Sequence, residues 1–138
     1  MISPEVHSIG SVDVSDPLAT WQPSDRAFYL DLDVFMGPAG TEVEERFTLY
    51  VCSPAWLEKS IEDNGPLDGR HMFIANEFDY PRIRAWIDSV VKDSTGADWD
   101  EVAAKLGRYF AWEFEPGTYV WSSGDEDIDT RINGEPEP

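Results

Sequence analysis

The first unbroken alternation of apolar and polar positions in the chain runs from Phe28 to Met36. Phe28, Leu30, Leu32, Val34 and Met36 fall on one side of an extended backbone, and Tyr29, Asp31, Asp33 and Phe35 on the other. That is the period of two expected of a strand with one buried face. Gly37-Pro38-Ala39-Gly40 interrupts it, and a polar stretch with Glu42, Glu44 and Glu45 follows. Phe47, Leu49 and Val51 then alternate with Thr48, Tyr50 and Cys52, so the two runs predict a hairpin. Ser53-Pro54 supplies an N-cap and a first helical residue for a short helix to about Ile61, expected to bury Trp56, Leu57 and Ile61 before Asn64-Gly65-Pro66 stops it.

Further on, Met72 to Ala75 reads as a third strand, nearly all apolar and therefore expected at the centre of the sheet. Asp79-Tyr80-Pro81 opens a helix whose Ile83, Trp86, Ile87, Val90 and Val91 recur at helical spacing, with Gly96 expected to end it. Asp98 can cap the next helix, with Asp100 and Glu101 in its first turn and Trp99, Val102, Ala103 and Leu106 on its buried face. Tyr109 to Glu115 reads as a last strand. The first 25 residues, rich in Ser, Pro and Asp, offer one edge strand and a loop. This order predicts an α+β fold, a single small domain over residues 1–121 with a mainly antiparallel sheet packed against about three helices. Residues 122–138, mostly Gly, Pro, Asp and Glu, are expected to form a solvated tail.

Composition changes the picture through charge. The 138 residues carry 10 Lys and Arg against 28 Asp and Glu, a net charge of −18. Nucleic acid and anionic membranes would repel such a surface, leaving a basic protein as the natural partner. A single Cys, Cys52, excludes an internal disulfide framework and Cys-cluster metal sites. No apolar run approaches the ~20 residues that span a bilayer, and the start, Met1-Ile2-Ser3-Pro4, has no basic or apolar leader pattern, so a cytoplasmic location is expected.

Catalytic candidates are weak. Asp31 and Asp33 share a strand face, as do Glu113 and Glu115, and paired carboxylates are what a glycosidase uses; in so acidic a chain such pairs arise on any solvated face. His7 and His71 lack the spacing of a zinc site, and Cys52 before Ser53-Pro54 reads as a packed residue rather than a nucleophile. No cofactor, metal or catalytic residue is predicted. Trp56, Trp86, Trp99 and Trp112 read as core, whereas Trp21 and Trp121 lie in loops, freer to meet a partner.

Several segments carry a family pattern: Pro4 to Val14, Met36-Gly37-Pro38-Ala39-Gly40, the run from Phe47 to Leu57 with its Cys52-Ser53-Pro54-Ala55-Trp56-Leu57, the Asp98–Leu106 helix, and Tyr109 to Glu115 with its Trp112-Glu113-Phe114. In these the chain resembles the immunity protein 8 family of bacterial polymorphic toxin systems. It departs from that pattern where Pro116-Gly117-Thr118 precedes Tyr119. The resemblance implies a non-enzymatic protein that neutralises a cognate toxin by stoichiometric binding, and the charge implies that the toxin has a basic surface, as a nuclease would. An acidic module or DNA mimic for another basic protein is the alternative; a small hydrolase using paired acids is a remote third. The hairpin turn and the return of the chain through the Pro54–Ile61 helix are expected to gather Glu42, Glu44, Glu45, Glu62, Asp63 and Asp68 at one end of the sheet, as a rim that meets the toxin.

Overall fold

A computed structural model describes residues 1–115. The region predicted as an acidic tail (122–138), with Tyr119, Trp121 and the domain boundary placed before it, lies outside the described residues. The chain forms β1 (Pro4–Gly10), β2 (Tyr29–Pro38), β3 (Glu45–Cys52), α1 (Pro54–Asn64), β4 (Met72–Ile74), α2 (Tyr80–Asp93), α3 (Trp99–Leu106) and β5 (Ala111–Trp112). β1, β2 and β3 pair antiparallel in sequence order. The far edge of β3 is shared by two short strands: Tyr50–Cys52 takes β4 in parallel and Phe47–Thr48 takes β5 antiparallel. The fold is α+β, as the residue pattern predicts.

The buried side of this sheet is the one the alternation marks. Leu30 pairs Val51, Leu32 pairs Leu49 and Val34 pairs Phe47, and all six are fully buried. Against them pack Ile83, Ile87 and Val90 of α2, and Val102, Ala103 and Leu106 of α3, with Phe28, Phe78 and Phe110 closing the cluster. Each helix begins on a side-chain cap that satisfies an otherwise orphaned backbone N–H. Ser53 Oγ accepts from Trp56 N–H (3.2 Å), Asp79 from Arg82 N–H (3.2 Å) and Asp98 from Glu101 N–H (2.8 Å).

Several details depart from the sequence reading. α1 buries no residue, and Ile61 is 46% exposed. The helix lies on the opposite side of the sheet from α2 and α3, where Trp56 stacks on Tyr29 instead of entering the core. β4 is at the sheet edge, not its centre; its apolar residues divide between the core (Phe73) and solvent (Ile74, 51% exposed). α2 ends at Asp93, and Gly96 instead exchanges two backbone hydrogen bonds with Ile2 (2.7 and 3.0 Å), tying the N-terminus to the loop before α3. β5 spans only two residues, because residues 107–110 continue from α3 as a turn and Glu113–Phe114 turns again. Trp21 is not a free loop residue; it packs edge-on to Phe78 at 4.9 Å, against the core. Among the described residues, no helix is long and apolar enough to cross a membrane.

Candidate functional site

The hairpin end is shaped by a close approach. The carbonyl of Val43 lies directly over Gly37, where a Cβ would stand 1.6 Å from its oxygen, so only glycine permits this return of the chain. Gly40, at φ 82°, takes the left-handed turn position beside it. The turn presents Glu42, Glu44 and Val43 to solvent, Val43 being 55% exposed. Glu44 reaches His7 Nδ1 (3.1 Å), whose Nε2 lies 3.7 Å from Glu5. Phe114, 58% exposed, packs edge-on to Trp112 next to β3.

Glu45 behaves differently from its neighbours. It pairs Met36 across β2–β3, and its Oε1 accepts the indole N–H of both Trp99 (3.0 Å) and Trp112 (2.9 Å). Trp112 in turn stacks on Phe47, rings 6.2 Å apart and nearly parallel. The Glu45 carboxylate therefore joins α3 to β5 on the core side of the sheet. Glu62 and Asp63 sit exposed in the last turn of α1, on the other side. Asp68 follows in the loop, where it accepts Arg70 N–H (3.1 Å), while the Arg70 guanidinium pairs Glu115 (3.0 Å). The six predicted rim carboxylates thus occupy three places: Glu42 and Glu44 at the turn, Glu45 against two indoles, and Glu62, Asp63 and Asp68 along α1 and its exit.

The side of β2–β3 away from the core carries a second constellation. Tyr29, Asp31, Asp33 and Phe35 of β2 stand there beside Thr48, Tyr50 and Cys52 of β3, because pairing keeps directly opposed residues on one face. The rings of Trp56, Tyr29 and Tyr50 form a ladder, with Trp56–Tyr29 centroids 4.6 Å apart at 23° and Tyr29–Tyr50 6.4 Å apart at 15°. Tyr29 O–H donates to Asp31, Thr48 O–H donates to Asp33 (2.9 Å), and Asp13 accepts the backbone N–H of Asp31 (2.8 Å). Burial pushes the Asp31 carboxyl above the usual carboxylate range, reinforced by Asp13 and Asp33 and opposed by the Tyr29 hydrogen bond and Arg46. Burial, with the Asp31 hydrogen bond, also drives the Tyr29 phenol far up. Asp31 and Asp33 were legible as a pair; Tyr29, Asp13 and Trp56 were missed. Tyr29 shares their period of two, whereas Trp56 at a helix start carries no sign of which face of the sheet it will cover.

Cys52 and His71 are held in structural roles. Cys52 is fully buried and its thiol is pushed up to about 11 by burial, so it stays protonated at neutral pH. His71 is buried with Nε2 2.8 Å from the Gly107 carbonyl, and burial lowers its pKa. Among the described residues, no group of three or more His, Cys, Asp or Glu could hold a metal ion. A cleft of about 270 Å³ between α2 and α3 is edged by Asp93, Lys105 and Arg108, with Lys105 Nζ bound to the Thr95 carbonyl at 2.6 Å. What the described surface offers is negative potential beside exposed aromatic and aliphatic groups, the components of a protein-binding face.

No curated protein and no solved structure matches the chain. The family model of immunity protein 8 matches residues 5–116, which take in every strand and helix described above except Pro4, the first residue of β1. The chain belongs to the immunity protein 8 family.

Proposed function

We propose that this immunity protein neutralises a cognate toxin by direct, stoichiometric binding, without chemistry of its own, and that the toxin meets it through a basic surface such as the substrate groove of a nuclease. The observation that supports this reading is the charge: −18 over 138 residues, far beyond what solubility requires of a small domain. A field of this sign steers a basic partner into encounter and repels the polyanion that a nuclease would otherwise hold. The reading places the protein in the cytoplasm, with neither nucleic acid nor membrane as partner.

Within the acidic rim, Glu42 and Glu44 are the carboxylates exposed to such a toxin at the hairpin turn, Glu44 while bonded to His7, with Val43 and Phe114 as apolar neighbours. Glu62, Asp63 and Asp68 add to the field from the side of α1, and Glu45 holds two tryptophans in place. The double variant Glu42→Lys/Glu44→Lys is expected to slow association with the toxin about tenfold at low salt and to flatten its salt dependence, with the melting midpoint unchanged. Association that stays equally fast and equally salt-sensitive removes the turn from the interface. A wild-type chain that does not bind its toxin removes the reading altogether.

A further inference from the structure

We infer that His7 is a positioning residue for the toxin interface: its ring, set outside the β1–β2 ladder by a bulge, holds the acidic half of the hairpin turn in the shape that the toxin meets. This rests on the reading above, that the toxin binds at Glu42 and Glu44. The two halves of the turn are tied down unequally. In the first half, Ala39 N–H donates to the Ser3 carbonyl (2.8 Å) and Gly40 N–H to the Glu5 carboxylate (3.3 Å). The N–H and the hydroxyl of Thr41 both donate to the Pro38 carbonyl (3.2 and 2.8 Å). The second half has no such framework. Among the described residues, the contact of Glu44 with His7 Nδ1 (3.1 Å) is the one hydrogen bond that Glu42, Val43 and Glu44 make. The close approach of the Val43 carbonyl to Gly37 is packing, without a hydrogen bond to hold it.

The irregularity of β1 puts His7 in place. Val6 and Ile9 both pack against the core although they stand three positions apart, where a regular strand repeats every two. The ladder absorbs the odd residue as a bulge: Val6 pairs Met36, Ser8 pairs Phe35, and His7 has no partner across β2. A bulge re-aims the side chain it carries. Here the ring comes to lie between two carboxylates, with Nδ1 on Glu44 and Nε2 3.7 Å from Glu5. Glu5 is also the acceptor that holds Gly40, so the ring links the tied half of the turn to the other half. The His7 side chain is 20% exposed against 45% for Glu44, so the ring is largely packed in while the carboxylate stays accessible to the toxin. A turn ordered before encounter spares the complex that ordering cost, and the gain shows in how slowly the toxin leaves.

The test compares His7→Phe, which keeps a ring without a donor, with His7→Asn, whose amide nitrogen can stand where Nδ1 does. His7→Ala repeats the loss without the added apolar ring. By NMR, the backbone amide order parameters of residues 42–44 are expected to fall from about 0.85 in the wild type toward 0.6 in His7→Phe, and to recover in His7→Asn. The toxin is expected to leave His7→Phe about fivefold faster than wild type, and His7→Asn at close to the wild-type rate. Association with His7→Phe keeps its wild-type salt dependence, because every carboxylate is still present. All three variants are expected to keep the circular dichroism of the wild type. A turn as ordered in His7→Phe as in the wild type, or no difference between His7→Phe and His7→Asn, would overturn the inference. A loosened turn with unchanged toxin dissociation would overturn it too, and would leave the immunity reading intact. A wild-type chain that does not bind the toxin removes that reading and the inference with it.

Discussion

The two faces of the β2–β3 pair come from the same alternating segments and end in different states. On the core side Leu30, Leu32, Val34, Phe47, Leu49 and Val51 are all at 0% exposure beneath α2 and α3. On the other side, Tyr29, Asp31, Asp33 and Phe35 are only partly buried, and the helix that reaches this face through Trp56 has no buried residue. The lesson is that a strand face opposite the core need not be merely solvated. Here it combines aromatic rings with carboxylates at a depth where neither is fully hydrated, which suits recognition better than stability.

The sharpest way to break this contrast is to truncate one residue on each face. Leu32→Ala removes a fully buried side chain from the centre of the core and is expected to cost about 2–5 kcal/mol. Phe35→Ala, on the half-covered face of the same strand, is expected to cost about 1 kcal/mol. Urea unfolding of both variants decides it. Equal losses would mean that the second face is packed as tightly as the core.

A smaller effect separates structural from recognising carboxylates within the predicted rim. Glu45→Leu leaves the Trp99 and Trp112 indole N–H groups without their acceptor and is expected to cost about 2–4 kcal/mol. Glu45→Gln keeps a carbonyl acceptor and is expected to stay within about 1 kcal/mol of wild type. Denaturant midpoints check both. If Glu45→Leu unfolds like the wild type but binds toxin poorly, Glu45 belongs to the interface after all.

How much of this was legible follows from what sequence periodicity can carry. The β2–β3 hairpin, α2 and α3 could be read because each has one wet face and one dry face, and the caps Ser53, Asp79 and Asp98 mark where the helices begin. α1 misled because Trp56 meets a sheet face that is itself partly polar and Ile61 stays exposed, so amphipathic spacing does not imply burial. β4 misled for a related reason: three apolar residues in a row fit a central strand, but also an edge strand whose faces point to the core and to solvent. The site was half legible. Acidic residues could be counted, but whether a carboxylate is free, like Glu42, or holds two indoles, like Glu45, depends on residues 54 and 67 positions away in the chain.

The smallest expected effect tests the Asp31 face from the side of stability. The Asp31 carboxyl is raised in the folded chain, chiefly by burial, from an ordinary value of 3.8. Between that value and the raised one, the folded chain holds a proton that the unfolded chain has released. Stability therefore falls as pH rises through this window, and the cost of the ionised carboxylate is present in full above it. Asp31→Asn removes the charge while leaving an oxygen to accept from Tyr29, so the variant is expected to melt above wild type at pH 7. The difference should shrink as pH falls and vanish below about 3.8, where Asp31 is protonated in both states. Thermal melts of the two chains across that range measure it. A variant that melts below wild type at pH 7 would mean that the ionised carboxylate stabilises the fold, through Arg46 or Tyr29. Asp31 would then be a structural acid like Glu45, and the distinction between the two faces would lose its strongest support.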